Sequence, residues 1–342
     1  MYPSIRIVIG GPQVNVAPKM TKKLYFGFDQ YIAKYDIAAA STIVGSTVST
    51  LKMPPKYIDY NFLPTHVSKY AINIFTALGC RYGCDYCQDS KMPYFESSLT
   101  GSLEQLINEL PCGAPVHCFD SNFGYSNERA LKSAIAISSL NHSFILSCDM
   151  RPELVTPKLV ETMSRAGFKE IRMGIECTDE RVLEKNSRTA KLIDLDSAIY
   201  SIRQNSDIYI TLYSIVGLPG STHESFERDR SFYKELLSCK VIDEIKNTLF
   251  VPYPQDSKIK YRDGMEIIEK DWVHYDRQSK PVYQLDGLTS DDIWKEYLNV
   301  AKAINESWLK GLGIAKLDDL PDRRYPEYIS DKYGLRKEAE YE

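Results

Sequence analysis

From about residue 71 onward, two kinds of segment alternate along the chain. Short apolar, β-branched segments lie at 72–78, 115–119, 143–148, 170–175, 208–216 and 245–251. Between them, apolar residues recur at helical spacing over 102–110, 130–140, 157–166, 192–204 and 223–237. Strands that alternate with helices predict a parallel sheet with right-handed crossovers. The pattern therefore predicts an α/β fold, a partial (β/α)6 TIM-like barrel that is two units short of a complete one.

The segments on either side of this core carry a weaker pattern. A β-branched run over 5–9 stops at Gly10-Gly11-Pro12, which is typical of a strand followed by a turn, and 36–45 is an option for another short strand. Near the C-terminus an amphipathic helix is predicted from a cap at Ser290. We therefore predict three parts: an N-terminal extension at 1–70, a barrel core at 71–252, and a C-terminal helical segment at 253–342 that closes the barrel.

Composition narrows the class of protein. The 342 residues include 42 Lys and Arg against 46 Asp and Glu, a net charge of −4, so no basic surface for nucleic acid is expected. Hydrophobic residues make up 43% and charged residues 26%, as in soluble globular proteins. No apolar run reaches the roughly 18 residues of a membrane span. The first residues also lack the basic, apolar, small order of a signal peptide. We expect a cytoplasmic protein with no membrane partner.

The eight cysteines are too sparse for a disulfide scaffold in a chain of this length. Three of them, Cys80, Cys84 and Cys87, fall within eight residues. In a reducing compartment such clustering points to metal ligation.

The spacing of these three cysteines is C-x3-C-x2-C, on a loop that follows the first predicted strand. Three thiolates can hold three irons of a [4Fe–4S] cluster, whereas electron-carrier clusters usually take four. The next cysteine, Cys112, comes 25 residues later, which would leave one iron open for a ligand. Gly79 and Gly83 allow the loop to turn tightly. A zinc site, a simple electron-transfer cluster and three incidental buried cysteines are the alternatives.

This motif in the first βα loop of a partial barrel resembles the radical S-adenosylmethionine (SAM) enzymes, over about residues 70–310. The resemblance implies that the open iron of a [4Fe–4S] cluster binds SAM. Reductive cleavage of SAM then gives a 5′-deoxyadenosyl radical that abstracts hydrogen from a small-molecule or peptide substrate. An electron donor such as flavodoxin or ferredoxin is implied as a partner.

The resemblance also implies a set of SAM-binding residues at the strand ends. They are Tyr86, Asp120, Asn122, Ser147, Arg151, Glu176, Val216, Gly217 and Leu218. Arg151 would grip the SAM carboxylate, and Glu176 its ribose or amino group. Cys177 stands where the family usually has serine. It is a candidate hydrogen-atom donor, with a small buried hydrophobe as the alternative.

Three segments resemble a particular branch of that family, the one with a cobalamin-binding domain and many methylases. They are Arg-Ile-Val-Ile-Gly-Gly-Pro at 6–12, the stretch at 174–188, and Val-Pro-Tyr-Pro at 251–254. The resemblance implies that the extension at 1–70 is a remnant of a cobalamin-binding-like domain. The Asp-x-His-x-x-Gly signature that supplies the cobalt ligand is absent, and only nine residues precede the Gly-Gly-Pro. Cobalamin is therefore possible but not expected from this chain alone.

The reaction that follows radical formation stays open from the sequence. Methyl transfer, epimerisation and bond formation are all candidates. Two alternative functions remain: a cobalamin-dependent methyltransferase that is truncated or needs a partner, and a non-catalytic iron–sulfur scaffold subunit.

Overall fold

The computed structural model describes residues 72–253, except 92–93, 97–102, 105, 108–109 and 111, and residues 264–312, except 270 and 278. It also describes residues 8–9, 19, 22 and 29–31.

Six strands form one parallel sheet in which neighbours in the chain are neighbours in the sheet. They are β1 Ile72–Ile74, β2 Pro115–Cys118, β3 Ile145–Met150, β4 Phe168–Glu176, β5 Tyr209–Val216 and β6 Glu244–Leu249. This order is what successive right-handed βα units produce. The predicted α/β partial barrel is confirmed, with all six strands within a few residues of their expected positions.

Six α-helices lie wholly within the described part of the chain. They are α1 Asn127–Ser138, α2 Pro157–Arg165, α3 Glu180–Lys185, α4 Leu192–Asn205, α5 His223–Ser238 and α6 Ser290–Leu312. Hydroxyl caps start several of them; the Thr156 side chain, for example, accepts from the Leu159 amide ahead of Pro157. No helix among these residues combines the length and apolar character that a membrane crossing requires.

Side chains alternate between the two faces of the sheet, and the two faces differ in character. Leu146, Cys148 and Met150 of β3 belong to the buried apolar core. Ser147 and Asp149, which lie between them, contact His117 of β2 on the opposite face. The core between sheet and helices is therefore apolar, whereas the interior of the barrel is polar.

The segment after the barrel differs in part from the prediction. An antiparallel pair, β7 Met265–Ile267 and β8 Tyr283–Leu285, forms where the sequence shows only an irregular stretch. Helix α6 begins as expected, but its cap is Thr289 rather than Ser290. The Thr289 hydroxyl accepts from the Asp292 amide (3.2 Å), and the Asp292 carboxylate accepts from the Thr289 amide (2.9 Å).

Little of the N-terminal extension is described. Val8–Ile9 pairs in parallel with Gln30–Tyr31, so the end of the predicted strand at 5–9 is a strand. The Gly-Gly-Pro turn and the optional strand at 36–45 lie outside the described residues. The division into three parts stays a prediction.

Candidate functional site

The loop that carries Cys80, Cys84 and Cys87, called the cysteine loop below, folds back on itself at the carboxyl end of the sheet. The Cys87 amide donates to the Cys84 carbonyl (3.2 Å), and the Cys80 amide donates to the Asp89 carbonyl (3.1 Å). The Ser90 hydroxyl donates to the Cys84 and Cys87 carbonyls. All three cysteines consequently line one cavity of about 440 Å³, a volume that suits a cofactor-sized ligand.

The thiols in this cavity fit an iron–sulfur cluster. All eight cysteines of the chain are free, so none of the three is held in a disulfide. Within the described residues, no three His, Cys, Asp or Glu side chains surround a single ion position. A cluster does not require such a position, because its cysteines bind different irons. Burial raises the pKa of Cys80, and that of Cys87 to about 11, so ligation would release protons from these thiols.

Arg151, at the end of β3, brings a fixed positive charge to the cysteine loop. Its Nη1 lies 3.6 Å from the Cys84 Sγ, and its Nη2 donates to the Thr189 hydroxyl at 2.7 Å. Its Nε pairs with the Glu153 carboxylate. The guanidinium also lies over the Tyr82 ring, 3.8 Å from the centroid. These contacts fix the plane of the cation against the loop.

Glu176 is aimed into the cavity by the backbone at the end of β4. Its φ is 63°, and the Cys177 amide donates across it to the Ile175 carbonyl at 2.8 Å. The Glu176 Oε1 accepts from the Tyr86 hydroxyl at 3.0 Å. A Cβ on Gly174 would collide with this carboxylate. The Gly-Ile-Glu sequence therefore makes room for a side chain held in an unfavourable backbone conformation.

Arg188, which the sequence analysis did not single out, completes this part of the site. Its Nη2 donates to the Gly174 carbonyl (2.7 Å) and lies 3.9 Å from Glu176 Oε1. Burial raises the pKa of Glu176, while the charge of Arg188 lowers it. The carboxylate thus has a cation and a phenol as neighbours.

Asp120 and Asn122 lie behind the cysteine loop, where their side chains accept hydrogen bonds from backbone amides. Asp120 accepts from the amides of Thr76 (2.6 Å) and Ala77 (3.0 Å) and from the Thr76 hydroxyl. Burial raises the pKa of Asp120, and these hydrogen bonds lower it. The Asn122 Oδ1 accepts from the Arg151 amide at 3.0 Å. Asp120 still borders the cavity; Asn122 does not.

Ser147 and the turn at 216–218 lie outside the cavity lining. The Ser147 hydroxyl is 2.9 Å from His117 Nδ1, deeper in the barrel. The Gly217 carbonyl accepts from the Tyr283 hydroxyl at 2.8 Å, which joins the end of β5 to β8. Contacts of these residues with SAM stay a prediction.

Cys177 also lies away from the cavity. It is buried with 3% of its surface exposed, and its thiol is 3.7 Å from the Asp179 carbonyl. The structure does not bring this thiol to the other site residues. A role in hydrogen-atom donation stays a prediction without support from the geometry.

Further polar residues border the cavity that the sequence analysis did not assign. They are Tyr82, Asp89, Ser90, Ser121, Asp149, Arg172, Arg188, Tyr213, Thr248 and Arg277. One sequence signal exists for some of them. A buried parallel strand is ordinarily apolar on both faces. In β4, however, Glu170, Arg172 and Glu176 follow a two-residue period, which indicates a polar inward face.

Comparisons with known proteins agree with this architecture. Residues 74–233 match the family described as the radical SAM superfamily. The ribosomal protein uS12 methylthiotransferase RimO of Thermotoga sp. (strain RQ2) is 24% identical over 257 residues, which is 68% of this chain and 57% of that protein. RimO of Thermotoga petrophila is 26% identical over 175 residues, 46% of this chain and 40% of that protein. The chain spans about half the length of the curated relatives it matches.

A solved structure extends the similarity in fold. The cobalamin-dependent SAM radical enzyme OxsB, with aqua-cobalamin bound, aligns with a TM-score of 0.52 and 11% identity. The alignment covers 88% of this chain and 43% of that one. At this identity the likeness concerns the fold alone.

Fold and site together define an α/β partial barrel with a thiol-lined cavity at the carboxyl edge of its sheet. The family match identifies the type of domain more narrowly than the fold and the cavity do. Residues 74–233 form a domain that matches the radical SAM superfamily. The family predicted from the cysteine motif is confirmed, and the curated relatives are enzymes.

Proposed function

We propose that this chain is a radical SAM enzyme that holds a [4Fe–4S] cluster through Cys80, Cys84 and Cys87. Its substrate would be a small molecule or a peptide. When bound, cluster and SAM supply a 5′-deoxyadenosyl radical, formed by one-electron cleavage of SAM, that abstracts hydrogen. The observation that carries the proposal is that the three free thiols line one cavity together with Arg151 and Glu176.

The residues around the loop have distinct roles in this proposal. Arg151 places its charge beside the thiolates and would attract the carboxylate of SAM, because a guanidinium binds carboxylates strongly. Glu176 offers acceptor oxygens to the amino group or the ribose. Tyr86 and Arg188 hold that carboxylate in place. Asp120 fixes the strand end from which the loop departs.

Methylthio transfer is a second candidate for the overall reaction. It is favoured by the similarity to the RimO proteins, which covers 68% of this chain in one case. Cobalamin-dependent methyl transfer stays a prediction, because the segment that would bear on it, residues 1–70, is mostly outside the described residues. A small electron-transfer protein would supply the electron in either case.

The test is anaerobic reconstitution with iron and sulfide, followed by SAM and dithionite. We expect about four irons and four sulfides per chain, and formation of 5′-deoxyadenosine measured by liquid chromatography. A Cys80/Cys84/Cys87→Ala triple variant should lose both. Cys112→Ala and Cys239→Ala, at exposed cysteines outside the loop, should keep both.

Two outcomes would contradict the proposal in different ways. A triple variant that retains its iron would refute the assignment of the ligands. A native protein that assembles the cluster and binds SAM, yet never forms 5′-deoxyadenosine, would favour the non-catalytic scaffold.

A further inference from the structure

The cavity extends from the cysteine loop to the inward face of the barrel, where Asp149 of β3 borders it. The Asp149 Oδ2 lies 3.1 Å from His117 Nε2. The Asp149 Oδ1 is also buried, and it accepts no hydrogen bond from any residue in the described part of the chain. A buried acceptor without a donor is costly. This oxygen therefore calls for a donor that the chain itself does not provide.

Arg172 of β4 is the cation that contacts the same histidine, and it is paired with another carboxylate. Its Nε lies 3.0 Å from Glu170 Oε2, and its Nη1 lies 3.5 Å from His117 Nε2. Glu170 is fully buried and also accepts from the Thr211 hydroxyl at 2.7 Å. Arg172 is thus engaged mainly with Glu170, and it does not form a hydrogen bond to Asp149 Oδ1.

Each of the other cations of the cavity either lies against a carboxylate or is exposed to water. Arg151 pairs with Glu153, and Arg188 lies against Glu176. Arg277 is exposed, so water can solvate its charge. An anionic substrate would have to compete with these carboxylates or with water.

The other carboxylates of the cavity already accept hydrogen bonds from the chain. Asp89 accepts from the Ser121 hydroxyl (2.7 Å), Asp120 from two backbone amides, and Glu176 from Tyr86. Asp149 differs from them in having a buried carboxylate oxygen without a donor among the described residues. It is therefore the group to which an incoming donor would bind.

Aromatic side chains lie near the Asp149 carboxylate. Burial and the charge of Asp149 raise the pKa of Tyr213 to about 12, so its phenol stays protonated. The Phe119 ring, 53% exposed, contacts the His117 ring edge-on with centroids 5.7 Å apart. Phe75 packs against Phe119 in the same manner. A carboxylate next to exposed aromatic surface is a combination that stabilises an organic cation.

We propose that Asp149 binds a cationic amino group of the substrate, which makes the substrate an amine. The assignment rests on the proposed function, since it places the substrate in the cavity that cluster and SAM would share. A protonated amine would bind the Asp149 carboxylate, whose side chain is 30% exposed, and place its alkyl chain beside Phe119. The amine is either a free small molecule or a lysine side chain of a peptide.

The experiment compares ligands of equal length by isothermal titration calorimetry at pH 7.5. The probes are pentylamine, 1-pentanol and pentanoate, with Nα-acetyl-lysine amide as the peptide-like amine. We expect pentylamine to bind about tenfold or more tightly than the alcohol and the carboxylate. Asp149→Asn should weaken amine binding by a similar factor, whereas Glu128→Gln, at a fully exposed carboxylate, should not. The ratio of the dissociation constants of pentylamine and Nα-acetyl-lysine amide distinguishes a free small-molecule amine from a lysine side chain of a peptide.

Folding of Asp149→Asn is checked by circular dichroism and thermal unfolding. If this variant does not fold, the ranking of the probes on the native protein decides, and Phe119→Leu, expected to weaken amine binding about threefold, provides a second variant. Equal binding of pentanoate and pentylamine would overturn the amine assignment while leaving cluster assembly and SAM cleavage intact. Absence of a cluster in a protein that still prefers amines would overturn only the proposed function.

Discussion

Two residues at the ends of neighbouring strands hold backbone angles that most side chains avoid. Gly217, after β5, has φ 84°, and Glu176, at the end of β4, has φ 63°. Glycine adopts this region freely, whereas a residue with a Cβ is strained by about 1–2 kcal/mol. Glu176 is held there by contacts of its carboxylate with Tyr86 and Arg188. Such strain at a non-glycine residue is characteristic of functional sites.

The Gly217→Ala variant should be destabilised by more than backbone strain. A Cβ at this position would collide with the Tyr283 hydroxyl and lie 2.8 Å from Ile293 Cγ2. Strain and overpacking together should cost about 2–4 kcal/mol in the free energy of unfolding in urea. Gly287→Ala is the matched control, with φ 74° and nothing near a new Cβ, and should cost about 1 kcal/mol. Equal losses in the two variants would contradict the packing argument.

At the scale of residues, the sequence could predict those site groups whose role depends on neighbours along the chain. The cysteine spacing and the Gly-Ile-Glu segment are local patterns, and Arg151 follows its strand directly. Arg188 and the contact of Asp149 with His117 could not be predicted. Both depend on which residues adjacent strands and loops bring together, and strand register determines that.

At the scale of elements, the strands and most helices could be predicted because their periodicity extends over several turns or alternations. Helix α3 spans six residues, too few for a helical period to stand out. The pair β7–β8 consists of three-residue strands whose partners are far apart in the chain. Its stability comes from packing on β5 and α6, which a local pattern does not reveal.

The junction between the end of β4 and helix α5 predicts a pH-dependent stability. The Asp229 Oδ1 accepts from the Thr178 amide and hydroxyl, both at 2.7 Å. Burial raises the pKa of Asp229 from 3.8 to about 6. The folded state therefore binds this proton more tightly than the unfolded state. The contribution of Asp229 to stability is largest below pH 4 and is lost as the pH rises to about 6.

Asp229→Asn keeps the acceptor oxygen and removes the titration. Relative to the native protein, the free energy of unfolding of this variant should rise between pH 4 and pH 6, by about 3 kcal/mol at most. Urea unfolding at a series of pH values measures the difference. Asp229→Ala, which leaves the Thr178 amide without its acceptor, should be less stable than Asp229→Asn throughout. A difference that does not change with pH would contradict the role of Asp229.

At the scale of the whole molecule, the site is assembled from segments that are far apart in the sequence. The Asp85 amide donates to the Asn186 carbonyl (3.1 Å), and the Ser187 hydroxyl donates to the Asp85 carboxylate (2.5 Å). Asp120 joins the segment just before this loop to the end of β2, and Arg151 joins the loop to β3. The cysteine loop is therefore attached to at least three separate parts of the barrel. A ligand that holds the loop should stabilise the barrel as one unit.

Cluster and SAM should each raise the midpoint of thermal unfolding, because both would bind the folded chain and not the unfolded one. SAM at about one hundred times its dissociation constant should add about 2.7 kcal/mol. For a domain of this size, that corresponds to about 5–10 °C. Anaerobic scanning calorimetry of the reconstituted protein, with and without SAM, measures both shifts. Cys112→Ala should show the same shifts and the Cys80/Cys84/Cys87→Ala variant neither. A SAM-induced shift that persists in the triple variant would mean that SAM binds independently of the cysteine loop.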